Sequence, residues 1–164
     1  MLSIFAPLHA ETQPLQEEPF CGLRYCGIEP VLGIPKVDMQ KRILLVDDNP
    51  IMRRLVRYFL EFQPDVEVCG EASNGLEGVE KGLELKPDLI VLDFYMPHVN
   101  GLQAAVMLHE VTPDTPIILF TVFKDETLER LAHTAGVASV LSKTDELMTL
   151  TAEIQRLTGQ QLKN

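Results

Sequence analysis

The sequence predicts an α/β protein, a doubly wound five-stranded parallel sheet with helices on both faces. From Lys41 onward, strand-length runs of apolar and often β-branched residues alternate with helix-period segments, five times in succession. The strand runs are continuous rather than alternating, as expected where helices cover both faces of a parallel sheet. Two of those runs stop on aspartate, and in an open parallel sheet ligands bind outside the carboxyl ends of the strands.

Taken in order, the first strand is RILLVD, followed by the helix PIMRRLVRYFLEF, where Asn49 and Pro50 read as N-cap and first helical residue. Its apolar residues Ile51, Leu55, Tyr58-Phe59 and Phe62 fall three and four apart, the spacing of one apolar helix face. The basic cluster Arg53-Arg54-Arg57 then reads as the wet side. VEVCGEA is the second strand, and GLEGVEKGLELK is a helix capped by Ser73 or Asn74. DLIVLD is the third strand, followed by the helix GLQAAVMLHEV. IILFTV and ASVLSK are the last two strands, and DETLERLAHTAG is the helix between them, ending near Gly136. The final helix, DELMTLTAEIQRL, repeats Leu147, Leu150, Ile154 and Leu157 on one face. Pro87, Pro113 and Pro116 lie just outside strands, where a missing donor costs little. Five such units fit the 124 residues from Lys41 onward with short loops.

Residues 1–40 read differently. Pro7, Pro14, Pro19, Pro30 and Pro35 prevent a long helix, and no strand alternation is sustained. The segment reads as a flexible or docking extension, and residues 160–164 as a tail. Cys21 and Cys26, with four residues between them, lack the further Cys or His of a zinc set. Three cysteines, an odd number, give no extracellular disulfide framework. A net charge of -10 argues against direct nucleic-acid binding and against attraction to anionic membranes. No run is long and apolar enough to span a bilayer, and the opening MLSIFAPLHA has no basic n-region. The expected location is cytoplasmic.

The chemistry gathers at the strand ends. Asp47-Asp48 closes the first strand and Asp93 the third, and buried carboxylates call for a partner. Three together would repel one another unless a hard cation sat among them, and oxygen donors of this kind suit Mg2+. The competing reading is that Asp47 and Asp48 merely cap the next helix and Asp93 starts a loop.

With these residues in place, 41–159 resembles the receiver domain of two-component response regulators, and its wording is most similar to receivers that precede LuxR-type DNA-binding domains. The family's acidic pair is matched by Asp47-Asp48, and its D-x-x-M-P-x-x-x-G run by Asp93, Met96, Pro97 and Gly101. The Thr or Ser after the fourth strand is matched by Thr121, and the Lys after the fifth by Lys143. The resemblance implies a flavodoxin-like fold and a phosphoryl group accepted on Asp93 from a sensor histidine kinase or phosphotransfer protein. It implies catalytic roles for Asp93, Lys143 and Thr121. It also implies magnesium held by Asp47, Asp48, Asp93 and the backbone carbonyl of Tyr95. Output would pass to a downstream protein, through the face of the fourth helix, fifth strand and fifth helix, or to a homodimer. Turnover of an external substrate is not expected, although loss of the phosphoryl group from Asp93 is. A phosphohydrolase working through an aspartyl phosphate would place an acid two residues after the nucleophile, where Tyr95 stands.

Three positions depart from the family pattern. Val140 stands where receivers usually carry an aromatic or His, Thr144 where proline usually follows the lysine, and Val122 where a small residue usually follows the threonine. Val140 leaves a second class of function open, a receiver-derived interaction module that no longer switches by phosphorylation.

Overall fold

The computed structural model describes residues 40–145 and 147–159. The expectations for residues 1–39, including Cys21 and Cys26, and for the tail at 160–164 lie outside the described residues.

Five strands and five helices alternate along the chain. They are β1 (Lys41–Val46), α1 (Pro50–Glu61), β2 (Val66–Ala72), α2 (Gly75–Leu85) and β3 (Leu89–Leu92), then α3 (Gly101–Val111), β4 (Ile117–Thr121), α4 (Glu126–Thr134), β5 (Ser139–Ser142) and α5 (Leu147–Gly159). All pairings are parallel, in the order β2-β1-β3-β4-β5. The predicted doubly wound sheet is therefore the observed one, and its order reverses beside β1 and β3. These are the two strands that end on aspartate.

The strands are continuous apolar runs because each faces helices on both sides. One cluster, with Leu44, Val46, Ile90, Leu92, Ile117 and Leu119, packs against α2, α3 and α4. The other, with Ile43, Leu45, Val91, Ile118 and Phe120, packs against α1 and α5. Alternate residues of one strand thus fill opposite cores. Between Ile43 and Leu44 the register against β2 slips by one residue at Cys69. This bulge keeps the end of β2 level with that of β1, so that Asp47 N donates to Ala72 O at 3.1 Å.

Helix starts are fixed by side-chain caps. Asn49 Oδ1 accepts from Ile51 N and Met52 N, with Pro50 at the first position. Asn74, rather than Ser73, caps α2, and Asn100 with Gln103 forms a reciprocal capping box on α3. Gly136 follows α4 at φ +85°, a left-handed conformation that suits glycine.

Helix α1 departs from expectation. Of the stripe Ile51, Leu55, Tyr58-Phe59 and Phe62, only Phe59 packs toward the core, together with Met52, Val56 and Leu60. The other four point to solvent. Arg53 and Arg57 are not a freely solvated face either, because both reach Glu71 at the end of β2. Two apolar sets share this helix, and the sheet takes the one that lets Arg53 reach the end of β1.

Candidate functional site

Strand pairing assembles the site. Val46 and Leu92 are register partners, so Asp47-Asp48 and Asp93 leave adjacent strands at the same level. Thr121 and Ser142 are partners in β4 and β5, and Lys143 N donates to Thr121 O at 2.7 Å. Each of the five residues singled out in the sequence therefore stands at the carboxyl edge of the sheet.

The lysine lies between two acids. Lys143 Nζ is 2.6 Å from Asp47 Oδ2 and 2.8 Å from Asp93 Oδ1, and all three side chains are at least nine-tenths buried. Pairing of Lys143 with Asp93 follows the family resemblance; its equal engagement with Asp47 does not. Asp47 is further committed, since its Oδ1 accepts Asn49 N at 2.8 Å and its carbonyl accepts Arg53 Nη1 at 2.6 Å. Neither acid of the pair caps α1; Asn49 does. Asp48 is exposed and accepts no hydrogen bond among the described residues. The carboxylates of Asp47, Asp48 and Asp93 offer oxygen atoms that all lie within 4.8 Å of one another.

Among the described residues Lys143 is the one cation that pairs with these three carboxylates, since Arg53 meets only the Asp47 carbonyl and pairs with Glu71. Burial pushes the Asp93 carboxyl above the ordinary aspartate range; the hydrogen bond and charge of Lys143 oppose that rise, while Asp47 adds to it. A second imbalance lies on Thr121, whose hydroxyl is buried without a hydrogen-bond partner among the described residues. A buried polar atom left unpaired costs about 1–3 kcal/mol, and such atoms call for an explanation.

The loop after β3 is drawn tight. Gly101 N donates to Phe94 O at 2.9 Å, and Met96 is buried beneath the turn. A Cβ on Gly101 would collide with Asp93 O and stand 2.7 Å from Phe94 Cα. Glycine is therefore required at the end of this motif by close backbone approach. His98 in the same loop adopts φ +68°. At the mouth, Tyr95 and Phe123 are exposed and meet edge-on at 6.1 Å, joining the loops after β3 and β4. Val122 is exposed beside Phe123. Val140 is buried among Leu119, Leu128, Ala132 and Val137. An aliphatic core position thus replaces the aromatic found there in most receivers.

Arg53 was missed in the sequence as a site residue. The available signal was its position one turn into the helix that starts from the acidic loop, on the same side as Val56.

The response regulator receiver domain family matches residues 43–155, and the chain belongs to that family. Among curated relatives, the transcriptional regulatory protein LiaR of Bacillus subtilis (strain 168) is 41% identical over 105 residues, covering 64% of this chain and 50% of LiaR. The nitrate/nitrite response regulator NarL of Escherichia coli (strain K12) is 44% identical over 84 residues, covering 51% of this chain and 39% of NarL. Of solved structures, a LuxR-family response regulator from Aurantimonas sp. SI85-9A1 superposes with a TM-score of 0.71 at 28% identity, covering 73% of this chain and 86% of that one. The expected likeness to LuxR-type receivers is thus found. The chain spans half or less of the length of these curated relatives. The protein is a receiver of two-component signalling, a family that accepts phosphoryl groups from histidine kinases and signals by phosphorylation.

Proposed function

We propose that Asp93 is the phosphoacceptor of this receiver, which would occupy residues 41–159. An Asp93 oxygen attacks the donor's phosphorus, the bond to the donor nitrogen breaks, and an acyl phosphate forms. Lys143 then turns from its two carboxylates to the phosphoryl oxygens as a compact point charge. Thr121 supplies a hydroxyl donor at the same edge. The observation that carries this reading is a buried aspartate, 2.8 Å from Lys143, at the same sheet edge as a buried hydroxyl that has no hydrogen-bond partner among the described residues.

The donor set fits magnesium, being three hard carboxylates within 4.8 Å. Asp48 and Asp93 would hold it with the Tyr95 carbonyl, and Asp47 would contribute through water. The commitment of both Asp47 oxygens, to Lys143 and Asn49, supports that outer role. When bound, the ion screens the anionic donor from the acidic edge and steadies charge on the equatorial oxygens.

The donor would be a sensor histidine kinase or phosphotransfer protein, in a phosphorelay within the cytoplasm. Among the described residues no helix is long and apolar enough to cross a membrane. The Tyr95–Phe123 pair would shield the acyl phosphate, since hydrolysis needs water in line with the leaving oxygen. Replacing both rings with alanine is expected to speed phosphoryl loss several-fold in excess magnesium after donor removal; unchanged decay rejects the shielding.

Beryllofluoride with magnesium, followed by NMR, tests the whole reading. Shifts at Asp93, Thr121 and Lys143 are expected, and should be lost in Asp93→Asn. Magnesium should also raise the melting temperature of the wild type more than that of Asp48→Ala, because a ligand of the native state alone adds stability.

A further inference from the structure

Two hydroxyls bracket Lys143 at the end of β5. Ser142 Oγ and Thr144 Oγ1 share a hydrogen bond of 2.7 Å, and Thr144 N donates to Ser142 Oγ at 3.2 Å. Asp145 N donates to Ser142 O at 3.1 Å, closing a turn over residues 142–145 with Lys143 at its second position. Lys143 N is itself tied to Thr121 O, at the end of β4. The lysine backbone is thus held on one side by the sheet and on the other by a serine that bonds two residues ahead.

We propose that Ser142 and Thr144 are positioning residues, a hydroxyl clasp that aims Lys143 between Asp47 and Asp93. A lysine stem is long and flexible and has much rotamer freedom to lose. Fixing the backbone beneath it lowers the cost of keeping its ammonium 2.6 Å from one carboxylate and 2.8 Å from the other. Burial supports the role. Ser142 is 8% exposed, a buried hydroxyl needs partners, and both of its bonds go to Thr144. Neither hydroxyl bonds to α5 among the described residues, so the pair is not a cap for the last helix.

The chemistry of position 144 also couples the two residues. Proline, which usually follows the lysine in receivers, has no N–H and would leave Ser142 Oγ without its backbone donor. Proline also restricts the residue before it. Thr144 gives up that restraint on Lys143, and the clasp supplies another by hydrogen bonding. The part of the clasp in phosphoryl transfer rests on the reading of Lys143 as the cation that meets the phosphoryl group on Asp93. Asp48 and the Tyr95 carbonyl lie outside the clasp, so its loss should slow transfer without weakening magnesium binding.

Two measurements on the full chain test this: nitrogen-edited NMR of the lysine ammonium groups, and the rate of phosphoryl uptake from acetyl phosphate at saturating magnesium. The Lys143 ammonium should give a slowly exchanging signal set apart from exposed lysines, assigned by its loss in Lys143→Arg. Ser142→Ala removes both side-chain bonds; Thr144→Val, at an exposed position, removes only the hydroxyl pair. Both should move the signal toward that of exposed lysines, Ser142→Ala further, and Ser142→Ala should slow uptake about fivefold or more. Thr144→Ser should match the wild type in both readouts, and calorimetric magnesium affinity should not fall in any variant. Should Ser142→Ala fail to fold, Thr144→Val decides alone. A Lys143 signal unmoved by loss of the hydroxyls overturns the positioning role, as does a Thr144→Ser that behaves like Thr144→Val. A moved signal with unchanged uptake overturns the part of the clasp in transfer. A wild type that takes up no phosphoryl group would instead count against Asp93 as acceptor, and the ammonium signal would still decide the clasp.

Discussion

The carboxyl edge of the sheet and the start of α2 use the same carboxylate chemistry to opposite ends. At the edge, Asp93 is buried and its carboxyl is pushed above the ordinary range. At α2, Glu77 accepts from Lys81, from Ser73 N and from Ser73 Oγ, and its carboxyl is held down at about 2. Glu77 also stands in the first turn of its helix, where negative charge is favoured. One charge costs the fold and the other supports it. On the proposed reading Asp93 stays under-compensated until a phosphoryl group and a cation reach it, whereas Glu77 is satisfied from the outset.

Lys143→Ala should have the largest effect on stability. It leaves Asp47 and Asp93 facing each other in a buried site, and removing one partner of such a pair is strongly destabilising. Urea unfolding at neutral pH should show a loss of about 2–3 kcal/mol, reduced because the carboxyls can protonate. A loss no larger than at a surface lysine would contradict the geometry.

Asp93→Asn should act in the opposite sense. The Asp93 carboxyl is raised in the fold, so its contribution is fully present below the unfolded-state value and is lost as pH rises through the folded one. At neutral pH the neutral amide should therefore stabilise the fold. The gain should disappear in acid, where wild-type Asp93 is protonated. Destabilisation at neutral pH would mean that the Lys143 pair outweighs burial.

Glu77→Gln should be the smallest change. With the folded carboxyl at about 2, its contribution is present above the unfolded range near 4.5 and is lost as pH falls toward 2. Its side chain is one-third exposed, so solvent screening leaves about 0.5 kcal/mol at neutral pH. The difference should vanish below about pH 2, and persistence there would assign the effect to packing.

Much of this was legible in the sequence, for physical reasons. Continuous apolar runs alternating with helical segments placed Asp47, Asp48 and Asp93 at strand ends, and the family resemblance added Thr121 and Lys143 at the same edge. The facing of α1 was not legible. Ile51-Leu55-Tyr58-Phe62 and Met52-Val56-Phe59 both repeat at helical spacing, and periodicity cannot rank two apolar stripes on one helix. The sheet chose the set compatible with Arg53 reaching the Asp47 carbonyl at 2.6 Å, a contact set by tertiary structure. The second arm of Lys143, toward Asp47, depends on side-chain reach across the sheet and carries no sequence spacing at all.

The most direct test of Asp93 as the phosphoacceptor is intact-mass measurement after incubation with acetyl phosphate and magnesium. One labile adduct of a single phosphoryl group is expected on the wild type and none on Asp93→Asn. An adduct of the same mass and lability that persists in Asp93→Asn would contradict the assignment.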